Sequence, residues 1–157
     1  MRKDSRLSRV LHVLIHMDRH CEQATSETLS QMLNTNAVVV RRTMAGMRKL
    51  GYVSSEGGHG GGWKLTKPLE DITLYDVYRA MGEPPLFNLG PPEEHPECLV
   101  ARAVDAALKD AMQAAEDQLL ARFRSITVAQ LAEDFETLYA LETGNPNPNC
   151  SSGSSEA

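Results

Sequence analysis

The chain has 157 residues, 41% of them hydrophobic and 24% charged, which suits one folded core with an appendage and excludes a wholly disordered chain. No apolar run approaches the roughly 18–20 residues that cross a bilayer, and Met1-Arg2-Lys3-Asp4 leads into an amphipathic segment rather than a signal core, so a cytoplasmic protein without membrane partners is expected. The net charge of −5 conceals a split: through Pro68 there are 11 Lys and Arg against 5 Asp and Glu, and beyond it 5 against 16, so a basic half able to hold phosphates precedes an acidic one. Cys21, Cys98 and Cys150 are odd in number and far apart, unlike a secreted disulfide framework.

In chain order, Leu7, Val10, Leu11, Leu14 and Met17 lie on one helical face and predict a first helix from Ser5 to about His20. Thr25 or Ser26 can cap a short helix from Ser26 to Leu33, since a hydroxyl there accepts a first-turn backbone N–H. Asn34-Thr35-Asn36 breaks the pattern, and Val40, Met44 and Met47 form the buried side of a third helix, Ala37 to Leu50, ended by Gly51. Two short helices across a polar turn make a helix-turn-helix candidate. Tyr52–Ser55 and Trp63–Thr66 have strand content and flank a glycine-rich tip from Glu56 to Gly62, which predicts a β-hairpin. Thr73 and Asp76 have capping-box spacing at the start of a helix with Leu74, Val77, Tyr78 and Met81 inside.

Five prolines between Pro84 and Pro96 mark an irregular connector. From Glu97 to Ser125 there is neither proline nor glycine, and Val100, Val104, Ala107, Leu108, Ala111 and Ala115 recur every three or four residues, which predicts a helix about 40 Å long. Such a helix exceeds the small domain before it, and its apolar face is the candidate dimer seam. Thr127 and Gln130 open a last, packing helix with a stripe of Leu131, Phe135, Leu138 and Leu141. The Asn-, Pro- and Ser-rich segment after Gly144 reads as a disordered tail.

The fold class expected is mainly α with a small β-hairpin wing. A winged helix-turn-helix would occupy residues 1–82, a connector 83–96, dimerisation and packing helices 97–142, and a tail 143–157. A B-form major groove admits one helix whose early residues reach base edges, and here these are Asn36, Val39, Arg41 and Arg42. Arg2, Lys3, Arg48, Lys49 and Lys64 would grip phosphate, and Gly58, His59, Gly60 and Gly61 at the wing tip let the backbone approach DNA closely. The competing class is a winged-helix module that binds another protein. An enzyme is not expected: His59-Gly60-Gly61-Gly62 has the look of a hydrolase oxyanion loop, but no nucleophile elbow and no phosphate-loop lysine accompany it.

Met47-Arg48-Lys49-Leu50-Gly51-Tyr52-Val53, the wing Gly58-His59-Gly60-Gly61-Gly62-Trp63-Lys64-Leu65 and Asp71-Ile72-Thr73-Leu74-Tyr75-Asp76-Val77, in that order, resemble the bacterial Rrf2 family of winged helix-turn-helix regulators. The resemblance implies a homodimer joined through the long helix, bound to a pseudo-palindromic operator and usually repressing transcription. Some members sense iron–sulfur status, nitric oxide or redox state through cysteines in the connector, three of them in the cluster-binding members, while others lack a cluster. This chain has only Cys98 there, with His95 nearby, so no cofactor is expected, and Cys98 is left as a candidate thiol redox sensor. Gly57 stands where many members carry a wing arginine. His12, His16 and His20 recur at four-residue spacing beside Cys21; such spacing can bind a transition metal, but an exposed polar face needs none, and no metal is expected.

Overall fold

Arg6–His20 forms α1 because Val10, Leu14 and Met17 share one face; all three are buried, with Val13 between them and Leu7 and Leu11 packed at the margin. The computed structural model describes residues 6–20, 24–58, 61–87 and 98–144, with His20 by its backbone only. The helices that follow are α2 (Ser26–Met32), α3 (Ala37–Lys49), α4 (Leu74–Ala80), α5 (Leu99–Ser125) and α6 (Val128–Thr143). Strands β1 (Val53–Ser55) and β2 (Trp63–Leu65) lie between α3 and α4 and pair antiparallel, Ser54 opposite Lys64.

Caps set most boundaries. Thr25 accepts the Thr28 N–H at 3.1 Å to start α2, and Asn36 accepts the Val38 N–H at 2.8 Å to start α3. Between them Asn34 takes φ +47°, a left-handed turn that asparagine tolerates, and re-aims the chain. Gly51, at φ +76°, follows the end of α3. Reciprocal capping boxes, Thr73 with Asp76 and Thr127 with Gln130, begin α4 and α6.

One core joins these elements. It takes Val10 and Leu14 from α1, Leu29 from α2, Val40, Met44 and Met47 from α3, Trp63 from the hairpin, Val77 from α4 and Val128 from α6. Recognition of α4 by α3 depends on Gly46, where a Cβ would lie 1.9 Å from the Ala80 carbonyl oxygen. Only a residue without a side chain lets the two backbones meet so closely. The hairpin is tied inward by Ala24, which exchanges backbone hydrogen bonds of 3.2 and 2.9 Å with Trp63, a bridge the sequence pattern did not suggest.

The last two helices behave differently from the rest. Helix α5 touches the head formed by α1 to α4 and the hairpin at its C-terminal end, where Phe123 meets Tyr78 edge-on with ring centroids 6.2 Å apart and the Arg124 guanidinium lies 4.1 Å from the Tyr75 ring centroid. None of its 27 residues is buried. Helix α6 then returns: Leu74 N–H donates to the Ile126 carbonyl at 3.0 Å and Val128 N–H to that of Ile72 at 2.8 Å. Its expected packing stripe is a correction. Phe135, Leu138 and Leu141 are exposed by 40%, 60% and 76%, and α6 packs instead through Val128, Ala129 and Ala132. The reason lies in α1, whose buried Arg19 donates to the Ala132 carbonyl at 3.0 Å, pairs with Glu136 at 2.7 Å and stacks on Phe135. That cationic anchor, not a leucine stripe, decides which face of α6 turns inward.

Candidate nucleic-acid interface

Helix α3 buries Val40, Met44 and Met47 and therefore exposes Val38, Val39, Arg41, Arg42, Ala45, Arg48 and Lys49. Arg41 and Arg42, adjacent in sequence, are about 100° apart around the helix and serve two different hollows. The first, of about 620 Å³, lies between α3 and the hairpin and is lined by Glu27, Arg41, Ala45, Arg48, Ser55 and Gly58. The second, of about 380 Å³, lies across the helix, with Arg6, Val39, Arg42, Thr43 and Met81 on its walls.

The cationic groups are held in defined places. Arg41 donates to the Glu27 carboxylate at 2.7 Å, with both side chains more than half exposed. Pairs of that kind are worth at most about 1 kcal/mol, so Arg41 is readily released to a phosphate or a base. Arg48 donates to the Ser55 hydroxyl at 2.9 Å and lies 6.0 Å from the Trp63 ring centroid, which fixes it at the root of the hairpin. Trp63 in turn donates from its ring N–H to the Ser26 hydroxyl at 2.9 Å, so α2, the hairpin and Arg48 form one connected set. Lys49 and Lys64 are exposed.

The wing root is fixed from below. Tyr52 donates its phenol to Asp76 at 2.6 Å, and burial together with this bond pushes the phenol pKa up to about 12. Burial acts to raise the Asp76 carboxyl, but the bonds from Tyr52 and Thr73 and the Arg79 charge outweigh it and hold the group below its usual range. At the tip, Gly58 takes φ +92°, and a Cβ on Gly61 would lie 2.3 Å from the Glu56 carbonyl oxygen, so this turn closes only with glycine at both positions.

Among the expected base readers, Asn36 commits its side-chain oxygen to the α3 cap, which leaves its amide N–H groups to face outward as donors. Val39, Arg41 and Arg42 are exposed on α3 as expected. His59, Gly60, Arg2 and Lys3 lie outside the described residues. Four contributors were not anticipated: Glu27, Arg6, Val38 and Gly46. Only Gly46 had a legible signal, a glycine in mid-helix, which commonly marks a close backbone approach.

Val100, Val104, Ala107, Leu108, Ala111 and Ala115 all lie exposed on α5, Val100 at 72%, Val104 at 50% and Leu108 at 47%. Cys98 is the exposed N-cap residue of α5 and makes no side-chain capping bond. An iron–sulfur cluster takes three or four clustered thiolates; Cys98 is the one cysteine among the described residues, and Cys21 and Cys150 lie outside them, so the described residues do not supply such a set. Among the described residues no group of three or more His, Cys, Asp or Glu could hold a metal ion, and no helix is long and apolar enough to cross a membrane.

Comparison with known proteins agrees with this geometry. YwgB of Bacillus subtilis, described as an HTH-type transcriptional regulator, is 40% identical over 83 residues, or 52% of this chain and 53% of its own length. The chain thus spans about half the length of that relative. YwnA of the same organism, described likewise, is 32% identical over 115 residues, 72% of this chain and 84% of its own. A crystal structure of a transcriptional regulator from Lactobacillus plantarum superposes with a TM-score of 0.72 at 24% identity, covering 90% of this chain and 99% of that one, and shares its fold. A model of the Rrf2 family, described as an iron-dependent transcriptional regulator, matches residues 4–134. The chain belongs to the Rrf2 family of winged-helix transcriptional regulators.

Proposed function

We propose that the chain acts as a homodimer that binds a pseudo-palindromic operator through α3 and the hairpin and represses transcription there. The observation that carries this reading is the exposed side of α3, which presents Arg41, Arg42, Arg48 and Lys49 and no acidic residue of its own, with Arg41 and Arg48 lining the cleft to the hairpin and Arg42 the hollow across the helix. In a major groove Arg42 and Arg41 would donate to base edges, with Val39 beside them and Asn36 donating to phosphate. Arg48, Lys49 and Lys64 would hold backbone phosphates, and the glycine tip would let the hairpin approach the neighbouring groove.

Dimerisation through α5 is supported by its exposed Val100, Val104 and Leu108 and by the small Ala107, Ala111 and Ala115 between them. Two-fold symmetry then sets the recognition helices one turn of DNA apart. Cys98 is accessible to oxidants, but no second feature among the described residues points to a partner for its thiol, so the reading assigns it no part.

The test is DNA selected from a random pool by the purified protein, then titrated over a range of salt. Binding should weaken steeply with salt, and Arg42→Ala should cost about 1–3 kcal/mol on the selected site while relaxing its sequence preference. Salt-independent or undetectable binding to duplex DNA would overturn this reading in favour of a protein-interaction module.

A further inference from the structure

On α1, away from α3 and the hairpin, His12 and His16 present their Nε2 atoms to each other at 2.8 Å, with ring centroids 4.6 Å apart and ring planes tilted by 43°. His12 is exposed and His16 half-buried. The spacing of four residues puts the rings on successive turns of one helix, and both bring the same ring nitrogen, Nε2, to one place on its surface. As a hydrogen bond this contact requires one ring to donate and the other to accept, so at least one imidazole is neutral.

A metal ion makes the same demand in stronger form, because each ligand offers a lone pair. Two metal–nitrogen bonds of about 2.0 Å meeting at a right angle separate the nitrogens by about 2.8 Å, whereas a tetrahedral angle needs about 3.3 Å. The observed separation is thus that of two adjacent corners of a square or octahedron. Those are the geometries preferred by copper(II) and nickel(II), for which imidazole is a suitable donor.

We propose that His12 and His16 form a two-imidazole chelate for a single divalent transition-metal ion of square or octahedral preference, copper(II) or nickel(II), on the outer face of α1. On binding, the exposed His12 ring, as the donor, moves its Nε2 proton to its Nδ1, both Nε2 lone pairs bond the ion, and water fills the remaining positions. Neither thiolate chemistry nor the connector is involved, so the site is separate from the family's cysteine-based sensing. It is equally independent of the operator reading, since neither histidine lies on α3 or the hairpin. The ion would clasp two turns of a helix whose opposite face carries Val10, Val13, Leu14 and Met17 into the core, and binding to the folded state alone raises thermal stability by mass action.

The full chain, free of any histidine tag and stripped of metal with a chelator, is dialysed against copper(II) or nickel(II), with visible absorption and melting temperature recorded. One equivalent should bind with a d–d absorption band and a raised Tm. His12→Ala, at an exposed position where alanine favours the helix, should weaken that binding about tenfold or more, because loss of even an outer-sphere partner commonly costs as much. His16→Ala should do the same and the double variant should abolish it, while circular dichroism reports both folded. The proposal is overturned if the wild type holds no ion, or if the double variant binds with the stoichiometry, spectrum and affinity of the wild type.

Discussion

From Val10 to Tyr78 the chain gathers Leu14, Leu29, Met44, Met47, Ile72 and Val77 into a core with essentially no solvent exposure, whereas α5, the longest helix, buries none of its residues. Both regions are rich in apolar side chains, so composition does not separate them. What differs is whether the chain supplies its own covering surface. In the head, four helices and a hairpin close over one another, and side-chain caps begin α2, α3 and α4. In α5 only Phe123 and Arg124, near the C-terminal end, find ring partners on α4, and Leu99, Val100, Val104 and Leu108 stand in water. Helices in water owe most of their stability to packing of an apolar face. Among the described residues the head is therefore covered from within and most of α5 is not, which is the physical case for a second copy.

Substitutions can break that contrast. The largest effect is expected from Val104→Asp with Leu108→Asp. Under the dimer reading these two buried charges should convert the protein to monomers in sedimentation and weaken operator binding by about a hundredfold or more through loss of bivalency, with the head still folded. An unchanged sedimentation coefficient would remove α5 from the seam.

Gly46→Ala probes the opposite region, because its methyl group meets the Ala80 carbonyl inside the head. A loss of about 1–3 kcal/mol in urea unfolding is expected, the usual cost of overpacking, with dimerisation unaltered. A neutral result would show that α3 and α4 separate more easily than their contact implies.

Asp76→Asn should have the smallest effect at neutral pH, about 1–2 kcal/mol, from weakened bonds to Tyr52 and Thr73. Its pH dependence sharpens the comparison. Because the Asp76 carboxyl is held below its usual range, the folded state favours the ionised form. That stabilisation is complete above the ordinary carboxylate range near pH 4 and is lost as pH falls through the lower folded value. The gap in stability between wild type and Asp76→Asn should therefore close on acidification, as followed by urea midpoints from about pH 7 to 3. A constant gap would mean that ionised Asp76 is no better held in the folded state than in the unfolded one.

Helices α1 to α4, the hairpin and both capping boxes were legible because each has a local cause: a period, a hydroxyl before an apolar run, or a glycine at a turn. The family resemblance rested on the same local features, and the family match extends it to residues 4–134. Readings that depended on who lies opposite whom fared differently. The stripe on α6 has a sound helical period, yet Leu138 and Leu141 face outward, while Arg19, fourteen residues into α1 and over a hundred from its partner Ala132, engages Ala132, Phe135 and Glu136. Arg41 and Arg42 read as one basic pair in sequence, but one is paired with Glu27 at the hairpin cleft and the other sits across the helix near Arg6.

The sequence by itself thus determined the elements, their caps, the basic early half and the family, since these follow from near neighbours along the chain. Only the tertiary structure decided which arginine faces which hollow, why Gly46 must be glycine, which side of α6 is inside, and that the described residues leave most of α5 uncovered. Each of those depends on a contact between residues far apart in sequence, and a side chain carries no local mark of the distant surface it will meet.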